Sequence, residues 1–192
     1  MIIYATKQTR ERYNLPEIKD MPNDLKTFNQ AIIEKESGNE LLEWGAKLFY
    51  FDSKKCLQLV NFASKFTLFL FDVKIKNVGD IANLMFEYIF DIYSDDEKMI
   101  ECLNKMIKEH PFCTFSKLTN KSMISTLNTT ETGFADYGNR FYSYIENGIL
   151  KTKQINYDVN KDWIFTMKVN NKTEWFMSGE KFRNLVVEKY SK

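Results

Sequence analysis

The sequence predicts an α+β domain, a mainly antiparallel sheet with helices packed on it, and three observations carry that prediction. Strand-length apolar runs stand next to one another instead of alternating with helices as a doubly wound parallel sheet requires. Helical spacing of apolar residues appears in separate segments around those runs. The 192 residues include only 7 Gly and 3 Pro, too few for long linkers, so one domain over residues 1–192 is expected.

Ile2 to Ala5 make a short strand, after which Thr6 or Thr9 caps a brief polar helix bearing Arg10, Glu11 and Arg12. Pro16 and Pro22 then interrupt any regular element. From Asn23, Leu25, Phe28 and Ile32 recur at helical spacing, and Gly38 stands where a left-handed cap would end that helix. KLFYFD, CLQLVN and FTLFLFDV are three antiparallel strands separated by the polar breaks DSKK and FASK. Asn77 caps a helix with Ile81, Leu84, Met85, Tyr88, Ile89 and Ile92 on one face. Ser94 and the acids Asp95, Asp96 and Glu97 start another, carrying Met99, Leu103 and Met106, which His110-Pro111 ends. Phe112 to Phe115 form a further strand, whereas SMISTLNTT fits a strand or a helix. NRFYSYIENG predicts a helix ending near Gly148, and ILKTKQI, DWIFTMKV and TEWFM predict strands, the last two joined by a tight turn at Asn170-Asn171-Lys172. A final helix from Ser178 presents Phe182, Leu185, Val186 and Tyr190.

A formal net charge of +1 gives no bulk field for holding phosphates. The charge is nonetheless uneven: residues 77–110 carry 8 acids and 3 bases, residues 140–192 carry 10 bases and 6 acids. Three cysteines without metal-type spacing predict a reducing compartment and no disulfide framework. The opening MIIYATKQTRERYN is too polar for a secretory leader, and FTLFLFDV is too short to span a bilayer, so a cytoplasmic protein with no membrane partner is expected. The abundance of Lys, Asn, Ile, Phe and Tyr fits the codon usage of an AT-rich bacterial or phage genome.

Most catalytic chemistries find no foothold. The single histidine, His110, and scattered cysteines supply no zinc ligand set, so no metal is expected. Neither GxGxxG nor GxxxxGK[ST] occurs, no GxSxG elbow appears, and no cofactor is expected. The carboxylate pairs Asp95-Asp96 and Glu34 with Glu36 fall at helix ends that read as solvated, where nothing splits their pKa values. Cys56 follows Lys54 and Lys55, an arrangement that lowers a thiol pKa if the ammonium lies close. Strand alternation instead sends Lys55 to one face and Cys56 to the other, which predicts a buried, slow thiol. No catalytic residue is therefore assigned.

Trp44, Leu48, Asp52, Lys55, Cys56 and Asn61, followed by Thr67 and Phe69, form a W-x3-L-x3-D-x2-K-C-x4-N pattern that resembles an uncharacterised family of small bacterial and phage proteins, a domain of unknown function. NKSMISTLN, ending in Asn128, resembles a following block of that family. Ser53-Lys54 stand where the family carries a pair of arginines. The resemblance implies an intracellular α+β domain and assigns no activity.

The binding candidates are Trp44, Asp52, Lys55, Asn61 and Asn128, the last four being polar groups in otherwise apolar segments. The expected function is a non-enzymatic protein-binding or modulatory module, a phage or mobile-element factor acting on a host protein, with another protein as partner. One alternative is a nucleic-acid-associated protein using Lys151, Lys153, Lys161, Lys168 and Trp175, although alternation puts most aromatics of that region on a buried strand face. Another is an enzyme with a carboxylate or lysine centre that matches no known motif.

Overall fold

The computed structural model describes residues 1–169 and 172–191, and at residues 167–169 the backbone alone. The expected turn at Asn170-Asn171 thus lies outside the described residues. The elements in chain order are β1 (Ile2–Ala5), α1 (Lys7–Tyr13), α2 (Asn23–Glu36), β2 (Glu43–Phe51), β3 (Lys54–Asn61), β4 (Thr67–Leu70), α3 (Ile81–Ile92), α4 (Glu97–Glu109), β5 (Thr114–Lys117), α5 (Lys121–Gly133), β6 (Ile145–Glu146), β7 (Ile149–Leu150), α6 (Thr152–Lys161), β8 (Ile164–Val169), β9 (Lys172–Met177) and α7 (Ser178–Tyr190).

The three apolar runs form the expected antiparallel meander, β2 to β3 to β4, in a register that sets Trp44 opposite Asn61 and Phe49 opposite Cys56. The sheet as a whole is mixed, which corrects the mainly antiparallel expectation. Its order is β4-β3-β2-β1-β5, with β1 parallel to both neighbours. The cause is the connection: α1 and α2 intervene between β1 and β2, and a helical crossover brings the chain back in its original direction. A four-residue apolar run does not reveal its own polarity.

Both faces of the sheet are covered. Trp44, Ala46, Leu48, Leu57 and Leu59 point into a core built with Tyr13, Met85, Met99, Leu103 and Phe182, under α1, α3, α4 and α7. On the other face Phe49, Phe51, Cys56 and Phe69 pack against Phe134 and Phe141, while Val60 meets Met123 and Leu127 of α5. A Cβ on Gly45 would come within 2.5 Å of Met123 Cγ, so glycine is what lets α5 rest on β2.

Four other segments either depart from expectation or are settled by the fold. SMISTLNTT is helical: the Asn120 side chain accepts the Met123 N–H at 2.9 Å to cap α5, and Met123, Leu127 and Thr130 give it a buried stripe. NRFYSYIENG is a 3-10 segment over Asp136–Tyr144 followed by the β6–β7 hairpin, turned by Asn147 at φ +50° and Gly148 at φ +76°. Asn-Gly is the commonest pair for such a two-residue turn. ILKTKQI is a strand only at Ile149–Leu150, which is β7; from Thr152 it opens α6, whose Ile155 and Val159 are buried. In α2 only Ile32 and Glu36 are buried, while Leu25 and Phe28 stand in solvent, Phe28 edge-on to Phe112.

The outer edge of β4 is closed by side chains. Thr67 N–H donates to Asn160 Oδ1 (2.8 Å) and Asn160 Nδ2 to Thr67 O (2.7 Å), while Phe69 N–H donates to Asn156 Oδ1 (2.6 Å) and Asn156 Nδ2 to Phe69 O (3.0 Å). The spacing explains the fit. Residues i and i+4 of a helix rise about 6 Å, and residues i and i+2 of a strand about 6.6 Å, so two amides one helical turn apart match two strand residues facing the same way. Both asparagines are fully buried.

Candidate functional site

The β2–β3 turn is made by Asp52 at φ +47° and Ser53 at φ +60°, a left-handed pair matched to the twist of a two-residue hairpin. Beside it a cavity of about 260 Å³ opens, lined by Phe51, Asp52, Lys54, Cys56, Phe71 and Asp72 from the meander and by Ile145, Gly148, Leu150 and Thr152 from the β6–β7 hairpin and the start of α6. Its floor is apolar and its rim is charged, with Lys54 Nζ 3.6 Å from Asp72.

Cys56 lines this cavity, with a lysine on the rim, yet its thiol is only 1% exposed and donates to Lys54 O at 3.6 Å. Burial pushes its pKa up, and neither the backbone groups of Asp72 and Phe51 nor the Lys54 charge reverses that. At neutral pH the sulfur is a protonated wall atom and a poor nucleophile. The alternation argument therefore holds for Lys55, while Lys54, two residues away and on the same face, is occupied by Asp72.

The surface around the mouth is aromatic. Tyr142 is 54% exposed, its ring centroid lies 4.9 Å from that of Phe51, and its hydroxyl donates to Asp52 Oδ1 at 2.7 Å. Tyr137 is 73% exposed and Ile149 65%. Tyr137 sits at φ +53° between Asp136 at +47° and Gly138 at +97°, so three successive residues take the left-handed conformation. For a bulky side chain this costs about 1–2 kcal/mol. Gly138 approaches the Tyr50 carbonyl and the Phe51 ring, where an added Cβ would lie 3.9 Å from each.

The other candidates do not join Asp52. Trp44 is buried, edge-on to Phe66 and Phe182. Lys55 Nζ donates to Arg12 O at 3.1 Å and so satisfies a carbonyl in the last turn of α1. Asn61 is fully buried: its amide nitrogen reaches the carbonyls of Glu40, Leu41 and Glu43, and its oxygen accepts from Ser64 N–H and Oγ–H. Asn128, on α5, accepts from Lys47 Nζ at 2.7 Å, and Lys47 also pairs with Glu131. Of the basic set, Lys151 pairs with Glu146 at 3.3 Å, Lys153 with Asp91 at 2.8 Å, and Lys161 lies 5.3 Å from the centroid of the Tyr93 ring. The Lys168 side chain is outside the described residues, and Trp175 is 73% exposed on the β8–β9 hairpin.

Glu36 corrects the reading of its carboxylate pair as solvated. It is 3% exposed, with Oε1 2.8 Å from His110 Nδ1, so this helix end is buried against the end of α4. Among the described residues no three His, Cys, Asp or Glu side chains are grouped to hold a metal ion, and no helix is long and apolar enough to cross a membrane.

The Trp44-to-Asn61 pattern thus spans β2, β3, the turn between them and the buried Asn61 bracket, and the comparison with known families agrees. The chain belongs to the DUF6933 family, a domain of unknown function. The match covers residues 2–180. No curated protein and no solved structure matches the chain. Sequence reasoning reached Asp52 and Cys56 of this family member's cavity and missed Tyr137, Tyr142 and Ile149. The Asn147-Gly148 pair was the available signal, because a hairpin there folds Ile145, Ile149 and Leu150 back toward the β2–β3 turn.

Proposed function

We propose that this protein is a non-enzymatic binding module that grips another protein with the surface of Tyr137, Tyr142 and Ile149 around the cavity at the β2–β3 turn. The observation that carries the reading is Tyr137, a ring held out in solvent on a backbone conformation that tyrosine disfavours. A backbone already set at Tyr137 spares part of the ordering entropy on association, and tyrosine is a frequent interface anchor. Asp52 and Asp72 against Lys54 leave the cavity rim one negative charge in excess, which favours an arginine or lysine side chain from the partner.

The test uses Tyr137→Gly, which relieves the strain and removes the ring together. Thermal unfolding is expected to rise, by about 1 kcal/mol in stability. Protein captured from a lysate of the cell that encodes this chain, quantified by mass spectrometry, is expected to be lost with Tyr137→Gly and with Tyr142→Ala. Identical capture by wild type and both variants rejects the reading.

A further inference from the structure

The two edges of the five-stranded sheet differ, and the open one is equipped for a ligand. Thr114 N–H bonds to Met1 O and Leu118 N–H to Ala5 O, so Thr114, Ser116 and Leu118 turn their backbone groups toward β1. By the alternation of a strand, Phe115 and Lys117 turn theirs away from the sheet, and no hydrogen bond from a described residue reaches them. A cavity of about 220 Å³ runs along this side, lined by Phe115, Lys117, Arg10, Pro16, Glu17 and Lys19.

Charge along that groove is lopsided. Arg10 and Lys19 share one carboxylate, Glu17, each at 3.0 Å, while Lys117 is exposed and has no ion pair among the described residues. Three cations thus face one anion. Arg10 Nε–H is also buried without an acceptor. A second copy of this edge would bring Lys117 against like charge, which disfavours pairing of the chain with itself.

We propose that the outer edge of β5 takes up an extended acidic peptide as a sixth strand, with its backbone bonded to Phe115 and Lys117 and its carboxylates facing Arg10, Lys19 and Lys117. Main-chain pairing supplies affinity and the basic groove supplies selectivity, as in other strand-addition modes. This goes beyond the tyrosine surface and does not depend on it.

The probe is a fluorescein-labelled, end-blocked hexapeptide of alternating valine and glutamate, titrated against the full chain by anisotropy, with amide exchange followed by NMR. Two control peptides carry lysine in place of glutamate, or N-methyl groups at alternate backbone nitrogens. Binding of the acidic peptide is expected to slow exchange at the Phe115 and Lys117 amides. It should weaken steeply with salt, and both control peptides should fail. Lys117→Pro removes an outward N–H while sparing the ladder to β1, and is expected to cost about tenfold in affinity against about threefold for Lys117→Ala, which keeps the N–H and loses the charge. Should Lys117→Pro misfold, the N-methylated peptide carries the same test. Equal binding of the lysine peptide, protection away from β5, unchanged affinity in folded Lys117→Pro, or self-association of the chain in sedimentation that the peptide does not compete with overturns the proposal. Retention of peptide binding by Tyr137→Gly keeps this test separate from that of the tyrosine surface.

Discussion

Strands β4 and β5 are both four-residue edges of one sheet, and they are finished in opposite ways. β4 gives its outward groups to Asn156 and Asn160 in an enclosed setting; β5 leaves them beside a basic groove. Unpaired edges invite association, and proteins ordinarily blunt them. Here one edge is closed by side-chain amides that imitate a neighbouring strand, and the other is protected by shortness and charge alone. Burial decides the choice: a buried amide group without a partner costs far more than one that water can reach.

Substitutions can break this contrast. Asn160→Leu strands the Thr67 N–H and C=O and also deprives Ser178 Oγ of its acceptor, so a loss of about 4 kcal/mol is expected in urea unfolding. Asn156→Leu strands the corresponding Phe69 groups, with an expected loss of about 3 kcal/mol. If either variant unfolds like wild type, the amides are decoration and the edge is held by the packing of α6.

Acid sharpens the contrast, because the β4 clasp contains no titratable group. Glu36 does titrate, on the helix whose Asn29 side chain bonds to Thr114 of β5. Burial alone would raise its pKa, but the hydrogen bond with His110 and neighbouring positive charges, Lys35 among them, hold it below its ordinary 4.5. A depressed carboxylate contributes stability that is complete above 4.5 and is lost as pH falls through the folded value. Protection of amides near β5, relative to their intrinsic exchange rates, is therefore expected to fall below pH 4.5 before that of β4 does, and Glu36→Gln should flatten the slope of unfolding free energy against pH in that range. Lys117→Pro gives the smallest effect on stability, less than about 1 kcal/mol, because the N–H it deletes faces outward. A larger loss would mean that the edge is not open.

The sequence exposed this asymmetry only in part. The meander was legible because its three runs are apolar on both faces and are separated by polar breaks, and α4 because acids crowd the residues that lead into it. Strand β1 hid its parallel pairing, since direction is set by a connection and not by the strand. Asn156 and Asn160 fell between two segments expected to be strands, ILKTKQI and DWIFTMKV; only their spacing of four, together with Ile155 and Val159, distinguishes a helix with an amide stripe. The cavity was half legible through Asp52 and Cys56. The tyrosines on the surface beside it were not, because the left-handed run at Asp136-Tyr137-Gly138 has no counterpart in propensity.

The amide clasp also has a consequence for synthesis. β4 leaves the ribosome at residues 67–70, whereas its cover arrives only with residues 152–161, more than eighty residues later. During that interval the nascent chain displays a bare, strongly apolar strand margin of the kind chaperones recognise. A translation pause before α6 would extend that exposure, whereas one after it would not.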